Sequence, residues 1–450
     1  MSDCIPSCMM LLLTLPCILA LIGALATRLI WPLSFDDTRA FAMTIVNHHS
    51  NLSLNRIRRL FWWYRAIIPF YKTLFRLASY PEHMRRRYIS FIAQVLVPHF
   101  GPSPPEYWSM PESKSISYKP SVRTPFEPIV VLGDGTKPMS VRFSMEIIDS
   151  GNGLPRNPED CLTVCREIGA SSFVEGFDPT WVDVCYDSLV YHDWRKLKGD
   201  HVPINFFFGG EFGQTGVVTK FYFFPMIRAA ETGVGGMQLV SQCMARLGVG
   251  SQWESVASFV ELHPQYKVYP EMVGIEGVAP TRNRVKVYLR LHPDHSSLMD
   301  TIYYTTLGGK LNADNAVSET IAALRVLWKL IFPGVGDDEV VQLKRQGSKG
   351  MLVYFEMGLD RKSVIPKVYI PIYRYCQSDA QIARAIAEYY RSTGQGGEVE
   401  RNYEACLREM LPKVNLEKSP PSHQTYLGIS TKKGKTQMTM YFALDLFSRG

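Results

Sequence analysis

The chain has 450 residues, of which 46% are hydrophobic and 20% are charged, and this composition predicts a globular protein with a large core and excludes a disordered one. The formal net charge is only +7, and the Lys and Arg residues are dispersed, so no basic patch indicates binding to nucleic acid. Nine cysteines without a CxxC pair fit neither a zinc ribbon nor a dense disulfide framework.

An uncharged apolar run, MMLLLTLPCILALIGALA at residues 9–26, comes before the rest of the chain. It has the length of a membrane-spanning helix, and Arg28, Arg39 and Arg56 follow it whereas no basic residue precedes it. We therefore expect residues 1–35 to form a membrane anchor that holds residues 36–450 on the cytoplasmic side of a membrane such as the endoplasmic reticulum. A cleaved signal peptide is the alternative.

Beyond this run, a pattern of two helices followed by two strands recurs five times. Repetition of one supersecondary unit predicts a single closed α+β domain, residues 36–450, with ten antiparallel strands inside a ring of helices. The predicted helices are residues 56–80, 81–97, 158–168, 180–197, 236–247, 252–262, 296–305, 318–330, 380–393 and 399–411. The predicted strands are residues 125–132, 139–148, 202–208, 217–224, 271–278, 284–291, 350–357, 367–373, 424–430 and 438–446.

The second strand of each unit carries a cation or an amide two residues before a hydroxyl side chain. Alternate residues of a strand share one face, so each such pair points to the same side of the sheet. For a single strand, a face turned to solvent is the simplest explanation, but in a barrel covered by helices the polar faces point into the lumen. The pairs are Arg142 with Ser144, Lys220 with Tyr222, Lys286 with Tyr288, Lys367 with Tyr369, and Gln437 with Thr439 and Tyr441.

These side chains suit two different parts of one ligand. Several cations can share the oxygens of a diphosphate, and the electron-rich faces of tyrosine rings stabilise a carbocation and exclude water. A lumen with both features predicts prenyl transfer from an allylic diphosphate. The cations are Arg142, Lys220, Arg284, Lys286 and Lys367, and the tyrosines are Tyr222, Tyr288, Tyr369 and Tyr441.

The sequence resembles the fungal dimethylallyltryptophan synthase family of aromatic prenyltransferases, whose ABBA barrel is built from five ααββ repeats. The resemblance covers roughly residues 59–450 and is carried by TPFEP, VRFSMEI, TKFYFFP, RVKVYLR, PKVYIP and TMYF in this order. It implies that the five cations and Gln437 bind the diphosphate, that the four tyrosines shield the cation, and that Glu127 activates the aromatic acceptor. Gln437 stands where some relatives have a further tyrosine.

The resemblance implies transfer of a dimethylallyl or longer prenyl group to a lipophilic indole-type or phenolic acceptor in secondary metabolism, such as the formation of alkaloids or indole diterpenes. It implies no metal and no other cofactor, since the allylic diphosphate is a substrate. A non-catalytic barrel that binds or carries an anionic lipophile is the alternative, and the oligomeric state stays open.

Two departures from the family concern the acceptor. Phe207 or Phe208 occupies the place of a lysine found in members that use tryptophan, which predicts an apolar acceptor pocket at Phe207. The segment before the third strand pair contains Glu271 but no arginine for an amino-acid carboxylate, so we expect free tryptophan to be a poor acceptor.

Other candidate motifs do not indicate a site. The pairs Asp36–Asp37 and Asp337–Asp338 lack the third aspartate of a DDxxD magnesium cluster, and the ten histidines have no metal-ligand spacing. No nucleotide-binding fingerprint is present in the sequence.

Overall fold

A computed structural model describes residues 54–103, 124–148, 156–193, 206–344, 350–444 and 446. The apolar run and the anchor predicted for residues 1–35 lie outside these residues, and the anchor stays a prediction. Among the helices that the structure describes, none is long and apolar enough to cross a membrane.

The described strands form a closed antiparallel barrel in which each strand pairs with its neighbours in the chain. The first and last strands close the barrel, with Ile129 opposite Tyr441. This architecture confirms the predicted α+β barrel. The strands are β1 (Phe126–Val131), β2 (Ser140–Met145), β3 (Phe206–Phe212), β4 (Val217–Phe223), β5 (Tyr269–Glu276), β6 (Val285–Arg290), β7 (Leu352–Met357), β8 (Ile365–Ile370), β9 (Gln424–Lys432) and β10 (Lys435–Phe442).

Helices precede each pair of strands, as the repeat predicts. Their apolar faces pack on the outside of the barrel, which leaves the lumen to polar and aromatic side chains. The helices are α1 (Leu54–Leu77), α2 (Glu82–Phe91), α3 (Pro158–Gly169), α4 (Thr180–Leu189), α5 (Pro225–Thr232), α6 (Gly236–Arg246), α7 (Gly250–Leu262), α8 (Leu298–Thr305), α9 (Asn315–Ile331), α10 (Ile372–Tyr375), α11 (Asp379–Thr393), α12 (Glu398–Arg401) and α13 (Tyr403–Met410).

Strand β6 shows how the two faces of the sheet are divided. Val285, Val287 and Leu289 are fully buried in the core between barrel and helices. Tyr288 belongs to a separate cluster of aromatic side chains inside the barrel, and Arg290 is only 1% exposed. The polar face of this strand therefore lines the lumen, and the alternative of a solvent-facing strand is wrong.

Several element boundaries differ from the prediction, and the largest differences concern β3 and two additional helices. Strand β3 continues to Phe212, through Gly209 and Gly210, whereas the predicted strand ended at residue 208. Both glycines are required by close packing, because a Cβ atom at Gly209 would lie 2.7 Å from the carbonyl oxygen of Phe143. Two further helices, α5 and α10, were not predicted, and α10 ends the fourth strand pair earlier than expected.

Candidate active site

The lumen has a charged end, which we define by the side chains that carry its charges. The five predicted cations all lie here: four are on β2, β4, β6 and β8, and Arg284 lies directly before β6. Carboxylates that the sequence analysis missed lie among them. The charged end consists of Arg142, Glu211, Lys220, Glu276, Arg284, Lys286, Glu356, Arg361 and Lys367. Gln437 lies half-buried on the lumen face of β10.

Among the cations of the charged end that pair with a carboxylate, Lys220 is the least exposed. Its Nζ lies 2.7 Å from Glu276 Oε1 and 3.3 Å from Glu211 Oε2, and Arg142 Nε lies 2.9 Å from the same oxygen of Glu211. Burial alone would raise the pKa of Glu211, but Arg142 and Lys220 outweigh this effect and lower the pKa to about 2. Glu211 is therefore ionised throughout the physiological pH range.

Glu276 connects several cations on neighbouring strands. Besides Lys220, its Oε1 atom lies 3.3 Å from Arg284 Nη2 and 3.6 Å from Lys286 Nζ. Burial would raise its pKa, but these cations hold the pKa of Glu276 well below its usual value. On the next strand, Glu356 Oε1 lies 2.9 Å from Arg361 Nη1. These carboxylates hold the cations in place before any ligand binds.

Lys367 differs from the other cations of the charged end. Its buried Nζ donates a hydrogen bond to Thr439 Oγ1 at 2.6 Å, and within the described part of the chain it forms no ion pair with a carboxylate. Burial and the nearby charges of Arg142 and Lys432 lower its pKa well below the usual value. Burial also lowers the pKa of Lys286 to about 8, although Glu276 opposes the shift. The charged end as defined above thus contains six cations and three carboxylates, and an anionic ligand would relieve the excess positive charge.

A ring of tyrosines separates the charged end from the rest of the lumen. The ring centroids of Tyr288 and Tyr354 are 5.1 Å apart, and both lie 5.7 Å from that of Tyr369. The ring continues to Tyr222, 6.4 Å from Tyr288, and to Tyr441, 5.8 Å from Tyr369. The four predicted tyrosines therefore lie side by side in one part of the lumen together with Tyr354, and we call these five residues the tyrosine ring.

The lumen beyond the tyrosine ring contains a cavity, which we call the cavity end. It encloses about 920 Å³ of atom-free space, including its opening. Phe207 lies here, as predicted, and its ring is 4.7 Å from that of Phe224, whereas Phe208 faces the outer core. The lining includes Glu127, Ile129, Ser144, Phe207, Phe224, Glu271, Met272, Arg290, Leu352, Tyr373 and Tyr426.

Glu127 is the carboxylate that the family resemblance assigns to the acceptor. Its Oε2 atom accepts a hydrogen bond of 2.9 Å from Ser144 Oγ on the adjacent strand. Strand register explains this contact, since the two residues are directly opposite each other in the pair β1 and β2. Ser144 therefore orients a carboxylate that lines the cavity. This carboxylate lies on the side of the tyrosine ring opposite the charged end.

A second carboxylate of the cavity end is paired with an arginine. Arg290 Nε donates to Glu271 Oε2 at 2.6 Å. The sequence argument considered only the segment before β6, whereas this arginine reaches the cavity from β6 itself and is already paired with Glu271. Glu271 reaches the lumen at a β-bulge, where Pro270 and Met272 pair with consecutive residues of β6.

The predicted site residues all lie on the lumen face, divided between the charged end, the tyrosine ring and the cavity end. The residues that sequence reasoning missed lie mainly on the first strand of each unit, where Glu211, Glu276, Tyr354 and Glu356 follow the same alternation. The first strands thus alternate polar and apolar residues as the second strands do, and this pattern in the sequence predicts the lumen face of both. Among the described residues, no three His, Cys, Asp or Glu side chains are grouped to hold a metal ion.

A closed barrel of five ααββ units, with cations at one end of its lumen and aromatic rings around the other, defines the ABBA class of prenyltransferases. Residues 60–406 match the model of the tryptophan dimethylallyltransferase family. The chain belongs to this family, and it is an aromatic prenyltransferase.

Individual relatives support the same assignment. The chain is 28% identical to a 7-dimethylallyltryptophan synthase of Aspergillus fumigatus, over 86% of this chain and 85% of the relative. It is 24% identical to a 4-O-dimethylallyl-L-tyrosine synthase of Claviceps purpurea, over 86% of this chain and 89% of the relative. The crystal structure of AnaPT from Neosartorya fischeri has the same fold, with a TM-score of 0.73, 16% identity, and coverage of 91% and 99% of the two chains.

Proposed function

We propose that this enzyme transfers a dimethylallyl or longer prenyl group from an allylic diphosphate to an indole-type or phenolic acceptor. The observation that carries the proposal is the order of features along one lumen: a cation-rich end, the tyrosine ring, and a cavity with an oriented carboxylate. An allylic diphosphate placed along this axis has its diphosphate among the cations and its reactive carbon inside the tyrosine ring.

The first step is ionisation of the donor. The bond between C1 and the bridging oxygen breaks, both electrons leave with the diphosphate, and an allylic cation remains. Arg142, Lys220, Lys286 and Lys367 stabilise the negative charge that develops on the leaving group, in a site from which most water is excluded. The tyrosine ring stabilises the positive charge through its ring faces.

The second step is capture of the cation by the aromatic acceptor. A ring carbon or a heteroatom of the acceptor donates an electron pair to the allylic carbon, and the resulting cationic adduct loses one proton. Glu127 accepts a hydrogen bond from the acceptor's N–H or O–H and so increases its nucleophilicity, while Ser144 keeps the carboxylate in position.

The acceptor class is supported by the cavity and by the relatives. Phe207, Phe224 and Met272 provide apolar surface for a flat ring. The two relatives described above are named for tryptophan and tyrosine products, an indole and a phenol. Arg290 lines the cavity, but its guanidinium group donates to Glu271, Gly350 and Tyr426, so the proposal keeps free tryptophan, with its carboxylate, as a poor acceptor.

We also propose that turnover requires no metal ion. The charged end supplies six basic side chains close to the expected diphosphate position, which is enough to neutralise it without magnesium. Turnover in the presence of EDTA should equal turnover without it. Loss of activity in EDTA and its return only with magnesium would contradict this part of the proposal.

The function is tested by incubating the purified full-length chain with dimethylallyl diphosphate and a panel of indoles and phenols. Mass spectrometry should detect an acceptor that gains one prenyl group, and pyrophosphate should appear in equal amount. Saturable donor binding without product on any acceptor would instead support a carrier of anionic lipophiles.

We further propose that residues 1–35 anchor the enzyme to a membrane with the barrel on the cytoplasmic side. The support is the apolar run at residues 9–26 and the basic residues that follow it. Full-length protein should sediment with membranes and resist extraction at alkaline pH, whereas a variant lacking residues 1–33 should be soluble. A full-length protein that is fully soluble would overturn this proposal.

A further inference from the structure

We infer that Thr439 is a positioning residue. It holds the amine of Lys367 at the border between the charged end and the tyrosine ring, where the lysine charge acts on the oxygen that leaves the donor. This role rests on the proposed function and deepens it, since it assigns the breaking bond to one particular cation. Thr439 itself takes no part in the transfer steps described above.

Thr439 is the hydrogen-bond partner of the Lys367 amine. Nζ donates to Oγ1 at 2.6 Å, and the lysine and the threonine are only 4% and 1% exposed. The hydroxyl is a neutral acceptor, so it fixes the direction of the amine without cancelling its charge. Lys220 differs, because carboxylates of Glu211 and Glu276 lie beside its amine and offset much of its charge. Of these two buried lysines, Lys367 therefore keeps more charge for a ligand.

The strand register shows that Lys367 reaches Thr439 across an intervening strand. Tyr369 on β8 lies opposite Gly428 on β9, and Gly428 lies opposite Thr439 on β10. A Cβ atom at Gly428 would lie 2.9 Å from Lys367 Cε and 2.7 Å from Tyr369 Cε1. The missing side chain of this glycine therefore lets the lysine cross β9. The contact between Lys367 and Thr439 depends on this gap in the lumen face.

The amine of Lys367 lies next to the tyrosine ring. Its Nζ is 5.2 Å from the ring centroid of Tyr369. In the part of the chain that the structure describes, no other cation of the charged end lies over a ring face in this way. In the proposed arrangement of the donor, the bond between C1 and the bridging oxygen crosses this border, because the diphosphate lies among the cations and C1 lies inside the tyrosine ring. The geometry thus assigns Lys367 to the bridging oxygen.

Negative charge develops on the bridging oxygen as its bond to C1 breaks. A fixed cation at this oxygen stabilises the transition state more than the bound donor, and so lowers the barrier to ionisation. Burial and nearby cations lower the pKa of Lys367 in the free enzyme, but the bound diphosphate supplies the opposite charge that favours the ammonium form. Loss of the Thr439 hydroxyl keeps this charge in the site and releases its direction. It should therefore affect kcat more than donor binding.

The experiment measures kcat and the donor KM of Thr439→Val in the full-length enzyme, with an acceptor that the wild type prenylates. We expect kcat to fall about 10- to 100-fold, the range for a hydrogen bond to a charged group, while KM changes less than about threefold. Thr436→Val is the matched control. It removes a buried hydroxyl from the outer face of the same strand, where Thr436 shares a hydrogen bond of 2.7 Å with Tyr389, and its kcat should be unchanged.

Two further variants test whether Thr439 acts through Lys367. Thr439→Ser keeps the hydroxyl and should restore most of the lost kcat. In a Lys367→Met background, Thr439→Val should cause no further loss, because the group that it positions is gone. If Thr439→Val does not fold, Thr439→Ala replaces it throughout. An unchanged kcat in the valine variant, an equal fall in Thr436→Val, no rescue by serine, or a full further loss in the double variant would overturn the inference.

Failure of the proposed function gives a different result. A wild-type enzyme that prenylates no acceptor would refute that function, and ionisation is then followed by the release of prenyl alcohol and pyrophosphate from dimethylallyl diphosphate alone. Slower release in Thr439→Val than in the wild type supports the inference in this case as well, and equal release contradicts it. An enzyme that neither transfers nor hydrolyses the donor would refute both.

Discussion

The two ends of the lumen differ in how their charged side chains are arranged, although the same ten strands form both ends. At the charged end, Lys220, Glu211 and Glu276 form an extended network in which cations outnumber carboxylates. At the cavity end, charges occur singly or in one pair, Glu127 with its Ser144 partner and Glu271 with Arg290. The charged end is thus suited to a multiply charged leaving group and the cavity end to orienting a mostly neutral ring. Substitutions at the two ends should therefore affect different kinetic constants.

The largest effect is expected at the cavity end, from Glu127→Gln. Loss of the carboxylate should lower kcat about a hundredfold or more, which is the usual contribution of a positioned base. Donor binding should survive, because Glu127 lies beyond the tyrosine ring from the cations. Steady-state kinetics with pyrophosphate detection and calorimetry with the donor measure the two quantities. A variant with full activity would remove Glu127 from the mechanism.

The next largest effect is expected at the charged end, from two variants that each remove one lysine, Lys220→Met and Lys367→Met. Both variants should raise the KM for the donor about tenfold or more, since each loses a charge-assisted contact. Their stabilities should differ, because only Lys220→Met removes a close cation from carboxylates of the network, Glu211 and Glu276.

Urea unfolding measures this difference in stability. Lys220→Met should lower the free energy of unfolding by about 3 kcal/mol, whereas Lys367→Met should leave it unchanged or raise it, because a desolvated cation without a carboxylate partner is removed. Equal losses in both variants would show that the carboxylate network does not distinguish these two sites.

A smaller effect is expected in the tyrosine ring, at the border of the two ends. Tyr288→Leu removes a ring face from the path of the cation, so kcat should fall about tenfold, and more of the donor should be lost to water as prenyl alcohol. Tyr288→Phe keeps the ring and is the matched control. Chromatography of the prenyl products gives the fraction captured by water, and an unchanged fraction in Tyr288→Leu would argue against a shielding role.

The smallest effect is a dependence of donor affinity on pH. Lys286, whose pKa is lowered to about 8, loses its proton in the free enzyme above this pH. Binding of the diphosphate favours the protonated form, so binding takes up a proton and weakens as pH rises above about 8, by less than about tenfold per pH unit because the other cations of the charged end stay charged. Lys286→Arg stays charged and should show a shallower decline in calorimetric titrations. The same slope in both proteins would exclude Lys286 as the titrating group.

The fold was predictable because its repeat is visible in the periodicity of the chain, and the second strands placed Arg142, Lys220, Lys286 and Lys367 correctly. Glu211 and Glu356 obey the same period-2 rule on first strands and were overlooked there. Arg290 obeys the same rule on β6, where it shares a face with Lys286, but the position of its partner Glu271 could not be predicted in this way. A bulge changes which face a residue occupies, and no local pattern in PEMVG specifies its position, which depends on the partner strand.

The central claim is that the two ends of the lumen separate the diphosphate from the acceptor. The most direct test is a crystal structure of the enzyme with a non-hydrolysable thiodiphosphate analogue of the donor and an indole. The account predicts diphosphate oxygens among Arg142, Lys220, Lys286 and Lys367, the prenyl chain inside the tyrosine ring, and the indole beside Glu127. A diphosphate bound at Arg290, with the indole at the charged end, would contradict it.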